Sequence, residues 1–219
     1  MLTALLFDVD GTLADTDPIH VRAFERYLAP HGLSVDEAFY RTRISGRTNA
    51  AIFADLFPER SPEEHARFSD EKEALYRAIS GDLAPLQGLP ALLAWARARK
   101  YRLAAVTNGP KLNLQHALDG LGLDGDFDVL IARDDVDRGK PDPMPYLMAL
   151  ERLGVNAADA VAFEDSPAGV NAAKAAGLFT FGLLTTQPAA VLREAGADVT
   201  IAHFEDPTLW AVLPARMGP

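Results

Sequence analysis

Two carboxylates open the chemistry of this chain. An apolar run near its start ends in Asp8-Val9-Asp10-Gly11-Thr12, with the two acids one residue apart. Alternate side chains on an extended backbone share a face, so Asp8 and Asp10 leave the strand end together. Like charges held that close call for a partner, and a divalent cation with oxygen ligands supplies one. Three further polar segments follow: Thr107-Asn108-Gly109, Lys140-Pro141-Asp142-Pro143 and Glu164-Asp165-Ser166-Pro167. Singly, each has an ordinary structural account as a turn, a helix cap or a solvated loop lysine. Whether they form one set depends on the elements that carry them.

Those elements are legible in the hydrophobic pattern. The run at 2–7 reads as a buried parallel strand. From 16 to 82 the apolar spacing is helical throughout, with Pro18 in a first turn and Gly81 and Pro85 as breakers. Beyond 86, helices at 89–99, 112–121, 143–153 and 168–176 alternate with strands at 103–107, 127–132, 160–163, 179–184 and 199–202. Such alternation predicts an α/β fold, a Rossmann-like parallel sheet flanked by helices, with an inserted all-α domain. The expected boundaries are 1–15 with 83–219 for the α/β core and 16–82 for the insertion. In open α/β sheets, ligands bind outside the carboxyl ends of the strands. Each polar segment follows a strand, so all four converge on one edge.

The chemistry open to such a set is narrow. A carboxylate attacks a phosphoryl group only when charge repulsion is relieved. A Mg²⁺ ion held by Asp8, a main-chain oxygen near Asp10, and Asp165 or Glu164 would relieve it. Lys140 would add positive charge, and Thr107 a hydrogen bond to the phosphoryl oxygens. Asp8 would then attack to give an aspartyl-phosphate, while Asp10 protonates the leaving oxygen and later activates water.

Composition sets the outer limits. A formal net charge of −10 disfavours nucleic acid, which clustered Lys and Arg would bind. No cysteine occurs, so disulfides, thiolate nucleophiles and Cys-ligated zinc are excluded. The first apolar run meets Asp8 too early for a signal peptide, and no stretch approaches the ~20 apolar residues of a membrane span. The expectation is a cytoplasmic monomer acting on a small-molecule phosphate ester, with neither nucleic acid nor membrane as partner.

The motif set resembles the haloacid dehalogenase superfamily over nearly the whole chain. Asp8 to Thr12 match its Asp-x-Asp-Gly-Thr motif, Thr107 its Ser/Thr motif, Lys140 its lysine, and Glu164 with Asp165 its acidic pair. The resemblance implies Asp8 as nucleophile and Asp10 as acid/base. It implies Mg²⁺ on Asp8, the carbonyl of Asp10 and Asp165, with Glu164 close by. The second carboxylate of the first motif argues for phosphoryl transfer over dehalogenation.

The insertion is similar to the small helical cap of the β-phosphoglucomutase-like branch, through Asp15-Thr16, His20, Ser45-Gly46-Arg47-Thr48-Asn49 and Lys72. That likeness implies that Thr16, His20, Arg47, Asn49 and Lys72 contact substrate when the cap closes, hinged near 14–17 and 81–85. From the residues alone, His20 reads equally as a packing histidine, and Lys72 as part of a solvated charged helix face. Asn108-Gly109-Pro110-Lys111 replaces the serine-lysine pair that holds a second phosphate in the mutases. Asn108 is counted with the substrate contacts, and hydrolysis of sugar or polyol phosphates is favoured over a phosphohexomutase. A receiver-like phospho-Asp signalling module is the non-enzymatic alternative; Asp10 and the helical insertion argue against it.

Overall fold

In the computed structural model, residues 4–44, 47–81 and 83–217 are described. The chain divides into two compact units, Met1–Asp15 with Leu83–Pro219, and Thr16–Asp82.

The first unit is built on six strands: β1 (Ala4–Phe7), β2 (Arg102–Val106), β3 (Val129–Ile131), β4 (Ala160–Glu164), β5 (Phe179–Leu183) and β6 (Val199–Ile201). All neighbours pair parallel, in the order β3-β2-β1-β4-β5-β6, so the expected parallel sheet is present. Helices α5 (Leu89–Ala98), α6 (Lys111–Gly120), α7 (Met144–Leu153), α8 (Pro167–Ala175), α9 (Ala189–Glu194) and α10 (Pro207–Met217) complete it. β1 lies at the centre and is buried throughout, which explains its unbroken Ala-Leu-Leu-Phe run. Phe7, Phe163 and Phe181 occupy paired positions on β1, β4 and β5. Their rings stack with centroids 4.8 and 5.2 Å apart. That row fixes the register immediately before Asp8 and Glu164, because a slip of one residue would turn the rings to the opposite face.

β3 is shorter than its apolar pattern suggests. The Asp128 carboxylate accepts the Leu103 N–H at 2.8 Å, taking the place of a strand carbonyl, and regular pairing starts one residue later.

The second unit, among its described residues, holds only helical elements. These are α1 (Asp17–Leu28), α2 (Glu37–Phe39), a π-type turn at Tyr40–Ile44, α3 (Asn49–Leu56) and α4 (Pro62–Ile79), with a 3₁₀ turn at Ala29–His31. α4 starts with a capping box: Ser61 accepts from the Glu64 N–H, and the Glu64 side chain accepts from the Ser61 N–H. Thr16 takes the cap position of α1, but its side chain makes no capping hydrogen bond. Phe24, Leu28, Ile52, Phe53 and Phe68 form the apolar centre of this unit.

Candidate active site

The turn after β1 is shaped by glycine. Gly11 has φ +78°, the left-handed region that side chains disfavour, and its N–H donates to the Ala14 carbonyl at 2.8 Å. A Cβ at Gly11 would also overlap the Asp165 carboxylate, so only glycine lets the β1 turn and the β4 end approach this closely. The Asp8 N–H donates to the Phe163 carbonyl at 3.0 Å, which extends the β1–β4 pairing by one residue and sets Asp8 beside β4.

The Lys140 ammonium is the hub. It donates to Asp8 Oδ1 at 2.7 Å, to the Val106 carbonyl at 2.7 Å and to Glu164 Oε1 at 2.5 Å. All three ammonium protons are thereby used, by acceptors from the ends of three adjacent strands. The ordinary reading of Lys140 as a solvated loop lysine does not hold, since its side chain is 3% exposed. Burial opposes its charge, but the Asp8 and Glu164 carboxylates push its pKa above the usual lysine range. Burial drives the Asp8 carboxyl the other way, up to about 7, with Lys140 opposing and Glu164 and Asp10 reinforcing. Asp165 is likewise pushed well above the usual carboxylate range by burial and by Asp8 and Glu164.

Asp8, Glu164 and Asp165 each offer an oxygen within 4.8 Å of the others, all three buried. The Lys140 ammonium bonds two of these carboxylates, Asp8 and Glu164, while Asp165, among the described residues, accepts only from a hydroxyl. The deficit of positive charge, and a donor set made of oxygen alone, suit a hard divalent cation. Thr107 Oγ1 accepts the Gly109 N–H at 2.8 Å. A Cβ on Gly109 would sit 3.2 Å from that hydroxyl and 3.7 Å from Asp10 Oδ2, so Thr107 and Asp10 flank the same turn. Asn108 follows Thr107 in this turn. Its carboxamide bonds to the main chain of Lys140 at both polar atoms.

Two contributors escaped the sequence reading. Tyr146, fully buried on α7, donates its hydroxyl to Glu164 Oε1 at 2.5 Å. Thr186, beyond β5, donates to Asp165 Oδ2 at 2.6 Å. Tyr146 stands six residues past Lys140 in a helix whose pattern only asks for bulk. Thr186 lies in a stretch without a motif. Gly169 leaves the room that Glu164 fills, as a Cβ there would collide with its carboxylate.

Thr16, His20, Arg47, Asn49 and Lys72 belong to the second unit; Ser45 and Gly46 lie outside the described residues. Within that unit, Lys72 is 1% exposed, which contradicts a solvated charged face. The buried face of α4 runs through Phe68, Lys72, Glu73 and Tyr76, while Leu75 and Ile79 are only half-buried. Lys72 pairs with Glu73 at 2.6 Å and lies 3.3 Å from His20 Nδ1, and Asn49 donates to Glu73 at 2.5 Å. The His20 ring stacks on Tyr76 with centroids 4.0 Å apart. Burial opposes the Glu73 charge, but Lys72 and His20 hold its carboxyl below the usual range. Arg47 stands apart from this group, with its guanidinium bonded to Asp55 and to the carbonyls of Arg43 and Ala51.

A protein-family model described as haloacid dehalogenase-like hydrolase matches residues 2–177. The chain is 38% identical over 211 residues to the validoxylamine A 7'-phosphate phosphatase of Streptomyces hygroscopicus subsp. limoneus, covering 94% of this chain and 96% of that one. It is 34% identical to the phosphorylated carbohydrates phosphatase of Thermotoga maritima, covering 81% and 82%. Among solved structures, a mutant of CbbY from Rhodobacter sphaeroides in complex with xylulose-(1,5)bisphosphate superposes with a TM-score of 0.81 at 32% identity, over 93% and 95% of the two chains. No helix among the described residues is long and apolar enough to cross a membrane. The chain belongs to the haloacid dehalogenase-like hydrolases.

Proposed function

We propose that the protein is a Mg²⁺-dependent phosphatase of small phosphorylated metabolites, sugar or polyol phosphates, working through an aspartyl-phosphate at Asp8. The observation that carries this is the buried cluster of Asp8, Lys140, Glu164 and Asp165 at the carboxyl ends of adjacent parallel strands. The phosphatase names of the two relatives support hydrolysis of phosphorylated, sugar-like compounds.

Asp8, Glu164 and Asp165 would hold the metal, joined by the Asp10 carbonyl. Bound there, Mg²⁺ would offset the repulsion between carboxylate and phosphoryl oxygens. Lys140 orients Asp8 by its hydrogen bond and keeps a positive charge beside it. An Asp8 carboxylate oxygen attacks phosphorus, and the bond from phosphorus to the ester oxygen breaks as Asp10 delivers a proton to that oxygen. Asp10 then takes a proton from water. The water oxygen bonds to phosphorus, the Asp8–phosphorus bond breaks, and inorganic phosphate is released. Thr107 stands beside this path and would hydrogen-bond a phosphoryl oxygen. By its likeness to the small helical cap, the helical unit would serve as the cap, with Thr16, His20, Arg47, Asn49 and Lys72 as its substrate contacts; Arg47, bonded to Asp55, is the weakest member of that set.

The test is phosphate release from a panel of hexose, pentose and polyol phosphates with Mg²⁺. Release that stops on chelation is expected; isomerised product without free phosphate would move the assignment to a mutase. A phosphorylated protein stable for hours without turnover would favour a receiver-like module.

A further inference from the structure

We propose that Asn108 is a positioning residue for Lys140, holding the lysine main chain with both polar atoms of its carboxamide and so setting where the ammonium stands. The inference rests on the reading of Lys140 given above. The Lys140 N–H donates to Asn108 Oδ1 at 2.8 Å, and Asn108 Nδ2 donates to the Lys140 carbonyl at 3.0 Å. One side chain therefore engages both backbone groups of a residue 32 positions away.

The clamp has a firm base. Thr107 donates its N–H to the Ile131 carbonyl at 2.9 Å, and the Gly109 carbonyl accepts the Arg133 N–H at 3.0 Å. Asn108 thus projects from a turn pinned on both sides. The segment it grips is irregular, with no helix or strand from 136 to 143 to fix the Lys140 backbone. A lysine side chain is long and loses considerable rotamer freedom when ordered, so its reach depends on where its backbone is held. The neighbouring residue is fitted to the clamp as well. A Cβ on Gly139 would lie 2.6 Å from Asn108 Oδ1, closer than packed atoms tolerate.

Bonded once at each polar atom to the Lys140 main chain, the carboxamide is held in one plane and one direction, as a brace requires. Asn108 should therefore govern turnover and not substrate affinity. A displaced ammonium weakens the orientation of Asp8, and a misplacement of order 1 Å can cost about 10²-fold in rate.

The experiment uses the full-length enzyme with Mg²⁺ and p-nitrophenyl phosphate, comparing wild type, Asn108→Ala, Gly139→Ala and Lys140→Ala. Gly139→Ala breaks the clamp by crowding, without touching Asn108. Amide hydrogen exchange is followed in each variant over residues 136–143. Expected for the first two variants is a fall in kcat of about 10–100-fold, with KM within about twofold and exchange accelerated in that segment but not in the sheet. A raised KM at unchanged kcat would make Asn108 a substrate contact and overturn the proposal. So would exchange accelerated across the whole chain, which marks a merely structural role, or kinetics and exchange like wild type. Lys140→Ala with wild-type turnover would instead overturn the reading of the site itself.

Discussion

Lys140 Nζ lies 2.7 Å from Asp8 Oδ1, although 132 residues separate them in sequence. β1, the irregular segment after β3, and β4 bring an ammonium and two carboxylates to one buried point. The contact gives the candidate nucleophile its orientation and its only described ion-pair partner.

Removing that ammonium while keeping the packing should disable the site. Lys140→Met is expected to lower kcat by about 10²–10³-fold, as the loss of a preorganised charge in a water-poor site typically does. Steady-state kinetics at saturating Mg²⁺ check this, and a loss below about tenfold would contradict it.

The metal-free protein should lose stability as pH rises. The Asp8 carboxyl is raised from 3.8 to about 7 by burial, against Lys140, so the folded chain holds its proton more tightly than the unfolded chain. The resulting stabilisation is full below the unfolded value and is lost as pH climbs toward 7; Asp165, shifted the same way, adds to it. Metal ligands must be deprotonated, so the rise in Tm on adding Mg²⁺ should be larger at about pH 7.5 than at about pH 5. Thermal melts with and without Mg²⁺ decide it; an equal or larger rise at the lower pH would refute the proposed ligand set.

Gly11→Ala should damage both fold and metal site. The left-handed φ alone costs about 1–2 kcal/mol for a residue with a Cβ, and that Cβ would displace Asp165. Urea unfolding should show the lost stability, and calorimetry a weaker affinity for Mg²⁺. Unchanged metal affinity would mean that Asp165 can move aside without consequence.

In the helical unit, Lys72→Met would leave Glu73 buried without its nearest cation. The expected destabilisation is about 3–5 kcal/mol, partly recovered by adding Glu73→Gln. An effect below about 1 kcal/mol in urea unfolding would be that of a surface pair and would contradict the burial of this contact.

The strands and the core motifs were readable because each carries a local signal. A central strand buried on both faces leaves an unbroken apolar run, and the chain turns sharply where Asp8-Val9-Asp10-Gly11 ends it. Helix α4 defeated the same logic. Its stripe Phe68, Leu75 and Ile79 marked only part of the buried face, because Lys72 and Glu73 are buried as a pair and charge is normally read as solvent exposure. Asn108 was read by residue type, as an amide next to a phosphate motif; its partners are main-chain atoms of Lys140, which no spacing rule reveals. Tyr146 and Thr186 reach the site through tertiary packing alone. α9 and α10 went unread: one is short, and the other contains Pro214, a residue that argues against a helix interior.

The most direct measurement asks where phosphorus is bonded during turnover. Asp10→Asn protein is mixed with substrate and Mg²⁺, quenched in acid, digested and examined by mass spectrometry. A phosphoryl group on the peptide bearing Asp8, absent from Asp8→Asn protein, is the expected result. A label on any other residue, or turnover by purified Asp8→Asn protein, would contradict nucleophilic attack by Asp8.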